Sequence, residues 1–167
     1  MDELGESLTR WTVRIALACY LARIFIDLRE GRNTHSERTA RWLWTTGLAF
    51  YLAHVAAAFH FAHHWSHADA YAHTAAQTKS IVGIHWGDGI YFNYAFTLLW
   101  LGDVALWWRN GSAHLRNSPG AYRTIQVVFA FMMFNATVVF GPPFWKWVAL
   151  AVLLPLAYAW RNRATPK

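Results

Sequence analysis

At 167 residues the chain has the length of one domain. It is 56% hydrophobic and only 14% charged, against roughly 25% charged residues in ordinary soluble domains. A formal charge of +6 would suit a nucleic-acid binder, but the arginines stand at the ends of apolar segments, where membrane orientation accounts for them and nucleic acid is excluded as a partner.

The expected architecture is an all-α integral membrane bundle of about five transmembrane helices forming a single domain over residues 1–167. The opening "MDELGESLTR" is acidic and lacks the features of a cleaved secretory signal. A spanning helix takes about 20 mainly apolar residues, and the first candidate is Trp11 to Leu28. It carries the lone cysteine, Cys19, which excludes an intrachain disulfide and a cysteine-based metal site. The polar loop "REGRNTHSERTA" leads to a second span, Trp42 to Trp65, followed by Ile90 to Trp108, Ile125 to Phe140 and Phe144 to Trp160. The last two are joined by "GPP" at 141–143, which reads as a tight turn.

Ten of the eleven tryptophans, all but Trp100, fall near a proposed end, as residues favouring the headgroup level should. Arg29, Arg32, Arg38 and Arg41 lie between spans one and two. Arg109, Arg116 and Arg123 lie between spans three and four, and Arg161, Arg163 and Lys167 follow span five. Only Arg10, Lys79 and Lys146 fall on the other side. The positive-inside rule then puts the N-terminus outside and the C-terminus inside, in a membrane such as the bacterial inner (plasma) membrane.

The stretch "HFAHHWSHADAYAH" at 60–73 holds five of the nine histidines and lies on the outer side in this orientation. From Leu48 to Val82 there is neither Gly nor Pro, so one helix can run through it. His60, His63, His64 and His67 would then share an arc of about 100° at the i, i+3, i+4, i+7 spacing that gathers side chains. A second reading breaks the helix at Ser66, where "SHAD" has capping-box form, and starts a short interfacial helix carrying Asp69 and His73 back over the cluster. "GIHWGDGIY" brings His85 and Asp88 to the outer start of span three. The candidate metal-ligating set is therefore His60, His63, His64, His67, His73, His85, Asp69 and Asp88, suited to copper, iron or zinc. Asp88 is the better placed carboxylate to orient a ligating histidine.

"HFAHH" has the H-x-x-H-H form and resembles, over five residues, one box of the membrane di-iron hydroxylases and desaturases. That family uses several such boxes on the cytoplasmic side, whereas this chain has one on the outer side, so the activity is not carried over. His54 lies deeper in span two and is the candidate axial ligand of a b-type haem, the alternative cofactor, or else a buried hydrogen-bonding group. Asp103 and Arg23 lie at matching depth near the inner surface and predict an ion pair, since an isolated intramembrane charge is expensive. Asn93 and Asn135 are expected to bond between helices or line a cavity.

The leading expectation is an integral membrane metalloprotein with an outward-facing His-rich centre between spans two and three. Its chemistry would be redox or dioxygen activation on a membrane-soluble substrate such as a quinone or lipid. The alternatives are a non-enzymatic membrane anchor, haem-bearing or structural, serving other membrane subunits, and a protein of metal uptake or delivery. Whether the chain is an enzyme stays open on the sequence.

Overall fold

The computed structural model describes residues 3–29, 34–111 and 119–141, together with Phe144 and Trp147. They form α1 (Glu3–Arg29), α2 (Thr34–Phe61), α3 (His67–Val82), α4 (Gly89–Asn110) and α5 (Pro119–Phe134), which continues directly into a π-helical turn, Asn135–Val139. The all-helical expectation is met: no strand occurs among the described residues. α4 matches the third expected span to within two residues, α1 and α5 carry the first and fourth but begin eight and six residues before them, and the fifth lies outside the described residues apart from Phe144 and Trp147. Two stretches, His35–Phe61 and Gly120–Val139, are long and apolar enough to cross a membrane, fewer than the five expected.

α1 and α2 share the most extensive interface, with α4 and α5 packed on its flanks. Small residues let the helices approach. A Cβ on Gly47 would stand 3.1 Å from the Trp100 ring and 3.2 Å from Cys19 Cβ, so glycine here brings α1, α2 and α4 together. The core is largely aromatic. Phe129 lies 4.6 Å from Trp44, 4.8 Å from Trp100 and 4.5 Å from Phe96 between ring centroids, in the tilted and edge-on arrangements that the ring quadrupoles favour. This modifies the expectation for tryptophan. Trp11, Trp42, Trp65, Trp86, Trp108 and Trp147 are exposed, as boundary residues should be. Trp44 and Trp107, also expected at the boundary, are instead buried with Trp100 in the core, because two charged side chains draw them inward.

Those two are Arg23 and Asp103. The Arg23 guanidinium is fully buried, 4.1 Å above the Trp44 ring and 5.1 Å from that of Trp107. The Trp44 indole N–H donates to Asp103 Oδ2 at 2.7 Å. The expected Arg23–Asp103 pairing thus runs through Trp44, and the ion pair that Arg23 makes is with Asp27, one turn on, at 3.6 Å. Tyr122 Oη donates to the same Asp27 oxygen at 3.2 Å and ties α5 to α1.

At the other end the uninterrupted helix through the histidines does not form. α2 stops at Phe61, and His64 and Trp65 take left-handed backbone angles, φ 48° and 60°. Trp65 N–H reaches back to Phe59 O at 2.9 Å, and Ser66 N–H bonds His63 O at 2.7 Å. Ser66 then caps α3 by accepting from the Asp69 N–H at 3.1 Å. The break at Ser66 is the outcome because Ser supplies an oxygen to a new helix start, and His is among the few residues enriched in the left-handed region.

Two predictions follow from this scaffold. A left-handed residue other than glycine costs about 1–2 kcal/mol, so His64→Gly should leave stability unchanged or raise it by about 1 kcal/mol, whereas His60→Gly, inside α2, should lower it by about 1 kcal/mol. Thermal unfolding of the two variants, compared in one detergent, checks the difference in sign. Removing one partner of a buried pair costs about 3–5 kcal/mol, so Asp27→Asn should destabilise strongly and Arg23→Met/Asp27→Asn should recover most of the loss. A double-mutant cycle with no recovery would refute the pairing.

Candidate functional site

The chain break sends α3 back over the end of the bundle and sorts the histidines into separate contacts. His60 Nδ1 accepts from the Trp65 indole N–H at 3.3 Å. His63 packs edge-on against His73, ring centroids 5.2 Å apart. His67 Nδ1 is 2.9 Å from Tyr94 Oη, and its ring also lies near those of Tyr71 and Tyr91. His64, Asp69 and His73 are exposed on the turn and the first part of α3, and His85 is exposed in the segment before α4. Asp88 caps α4 by position, without a side-chain cap bond, and Tyr71 hydrogen-bonds to its carboxylate. That bond, and the carboxylate charge with it, holds the Tyr71 phenol above its ordinary range.

The expected convergence of His60, His63, His64 and His67 with His85 or Asp88 is therefore corrected. With α2 ended at Phe61 the four no longer share a helix face, and the "HFAHH" box straddles the helix end. Among the described residues, no three His, Cys, Asp or Glu side chains come together to hold a metal ion. What remains of the cluster is the His63–His73 pair, with Asp69 one helical turn before His73 and close enough to act on His63 electrostatically.

Beneath α3 lies a cavity of about 650 Å³. α1 contributes residues from Arg10 to Leu17 to its wall, α2 those from Tyr51 to Phe59, the turn after it His63, and α4 those from Ile90 to Thr97. Met132, Met133 and the π turn with Phe140 close the remaining side, and Ala70 and Thr74 of α3 form part of the roof. The lining is mostly apolar, and its size falls within the roughly 300–1,000 Å³ of small-molecule sites.

Besides Arg10, Arg14, His63 and Tyr94, the wall carries His54 and a linked set of Tyr51, Thr97 and Asn93. His54 Nδ1 is 2.9 Å from the Thr9 carbonyl. A carbonyl only accepts, so the proton sits on Nδ1 and Nε2 is left with a lone pair. Thr97 donates to Asn93 O at 2.8 Å, and Tyr51 Oη lies 3.1 Å from Thr97 Oγ1 and 6.3 Å, ring to ring, from His54. Of the two asparagines, Asn93 lines the cavity as expected, while Asn135 bonds within its own helix, to Phe131 O at 2.8 Å. As a haem ligand His54 has Nε2 to offer, but no other span carries a histidine to complete a pair. Sequence reading missed Tyr51, Thr97 and Thr9. Tyr51 stands one turn before His54 on the same face of α2, and Thr97 one turn after Asn93 on α4, and those spacings were the available signal.

Comparison with protein-family models, with curated proteins and with solved structures finds no match for this chain.

The His63–His73 contact has a pH consequence. Burial, and then the neighbouring His73, push His63 below its ordinary value of 6.5. The unfolded chain therefore takes up this proton first, so the contribution of His63 to stability is full above pH 6.5 and is lost as pH falls through the lower folded value. The melting temperature should drop on acidification below pH 6.5, and less so in His63→Gln; equal slopes in the two proteins would refute the assignment.

Proposed function

We propose that the chain is an integral membrane protein of five spans, N-terminus outside and C-terminus inside, that holds a membrane-soluble small molecule of quinone or lipid type in the cavity beneath α3. The observation that carries this reading is the cavity of about 650 Å³ itself, apolar over most of its wall and walled by α1, α2, α4 and α5 together. The two apolar stretches, His35–Phe61 and Gly120–Val139, and the confinement of basic residues to alternate loops support the membrane setting. An apolar molecule in the bilayer reaches such a site without crossing water, and a few polar groups suffice to orient it.

A metal centre is the second reading, and the His63–His73 pair favours it. Asp69 stands at i, i+4 to His73 on α3, so a divalent ion could draw these three together at the rim of the cavity, where His63 also lines the wall. In that case the ion would meet whatever the cavity holds, which is the arrangement a redox centre acting on a membrane-soluble substrate needs.

Ala58→Phe should fill the cavity and leave the bundle folded. Native mass spectrometry and organic extraction of the wild type, purified in mild detergent, should yield a co-purifying apolar molecule. Its occupancy should fall at least about ten-fold in the variant, a loss of about 1.4 kcal/mol of binding. Equal recovery from both proteins would remove the cavity as the site. Metal analysis of wild type against His63→Ala/His73→Ala tests the second reading. Labelling by an impermeant reagent of a cysteine placed at Arg38 in intact cells would overturn the orientation.

A further inference from the structure

The hydrogen atoms of the polar wall identify the kind of head group it takes, given that the cavity is a ligand site as proposed above. Thr97 Oγ1 donates to a carbonyl, Asn93 O, at 2.8 Å. Its only hydrogen is thereby committed, and the Tyr51 hydroxyl, 3.1 Å from Thr97 Oγ1 and 3.5 Å from Asn93 O, commits its own hydrogen to one of these two oxygens. The Tyr51 oxygen then has lone pairs left and no hydrogen. His54 is in the same condition: Nδ1–H is fixed by the Thr9 carbonyl at 2.9 Å, and Nε2 has no hydrogen-bond partner among the described residues. The rings of Tyr51 and His54 are 6.3 Å apart, so the two free acceptors stand side by side on one face of α2.

An acceptor-only patch binds a donor. A protonated amine would satisfy it chemically, but no Asp or Glu side chain lines the wall to balance its charge; Arg14 stands there, as does Arg10, which is ion-paired with Glu6. The remaining donors are neutral hydroxyl groups. Tyr51, Phe59, Tyr94, Phe96 and Phe140 surround the space, which suits a flat ring carrying the hydroxyl. We infer that the cavity selects a phenolic head group on an apolar tail, a quinol in preference to its quinone, through a hydrogen bond from the ligand hydroxyl to His54 Nε2, with Tyr51 Oη as the neighbouring acceptor. A quinone, which has acceptors only, meets lone pairs at this patch. Its carbonyls would have to turn to donors elsewhere in the wall, among them Asn93, His63, Tyr94 and the two arginines.

Three probes that share a ring and a decyl tail separate the possibilities: a benzoquinol, the corresponding benzoquinone and the quinol dimethyl ether. Each is titrated anaerobically into the full chain in lipid nanodiscs. The quinol should bind at least about ten-fold more tightly than the other two, because leaving a buried acceptor unpaired costs about 1–3 kcal/mol. His54→Leu should bring the quinol down to the affinity of the ether without weakening the ether, and Tyr51→Phe should reduce the preference by a smaller factor. Equal binding of all three probes, or tighter binding of the quinone, overturns the inference and leaves the cavity reading intact. A quinol preference that survives in His54→Leu overturns the role of His54. No saturable binding of any probe removes the cavity reading as well. Should His54→Leu fail to fold, the ranking of the three probes by the wild-type protein decides.

Discussion

The bundle is organised around a buried cation. The Arg23 guanidinium is fully buried, and none of its nitrogens has a hydrogen-bond partner among the described residues. An isolated charge in that position would be prohibitive. Its compensation is collective: the faces of Trp44 and Trp107, the carboxylate of Asp27 one turn along α1, and the phenol of Tyr122 holding that carboxylate in place. Because Trp44 also hands its N–H to Asp103, one indole couples the charge on α1 to the charge on α4. α1, α2, α4 and α5 each supply a member of this group, so their relative rotation about their own axes is fixed at this end. With that rotation fixed, the opposite ends of the same helices can stand apart and leave a cavity between them.

How much of this could be read from the residues depended on the range of the interaction involved. Helix positions were legible, because runs of apolar residues and the arginine-rich loops mark them directly; α4 falls close to its expected bounds, while α1 and α5 start earlier, in polar residues that apolar runs do not mark. The matched depths of Arg23 and Asp103 were legible too, but not the indole between them. Trp44 carries a polar atom on a large apolar ring, and a boundary position and a core position both satisfy it. The histidine-rich stretch divided the readings more sharply. Spacing alone placed four imidazoles on one face, and the choice between a continuing helix and a new one was marked by Ser66, whose side chain caps α3 at Asp69 after two left-handed residues. A cap is a local contact of a few tenths to two kcal/mol, and helical periodicity carries no term for it.

The candidate site moved inward for the same reason. Once α3 folds back, the imidazoles expected to meet at the surface are distributed among Trp65, His73 and Tyr94, and the space they cover becomes the distinctive feature. His54 was legible as a buried group in need of a partner. Which partner was not, because Thr9 is forty-five residues away in sequence and contributes only its backbone carbonyl. Any residue at that position would offer the same oxygen, so side-chain identity carries no trace of it. The tautomer of His54, and with it the character of the wall, is thus set by helix packing rather than by a motif.

The π turn at Asn135–Val139 bears on the other side of that wall. Phe140 N–H bonds Asn135 O, five residues back, so the hydrogen-bonded loop encloses one residue more here than in an α-helix. A return to α-helical bonding would rotate all that follows by about 100° about the helix axis, carrying Phe140 and Gly141 away from the cavity. Gly141 is already pressed against the Thr137 carbonyl so closely that no side chain fits. The turn behaves as an inserted residue whose effect is a change of phase: upstream of it α5 presents Phe129 to the aromatic core, and the turn itself, with Phe140 and Gly141 after it, faces the cavity. Deleting a single residue from this turn would therefore re-index the wall without altering its composition, so that length, more than identity, is the property of this segment that the cavity depends on.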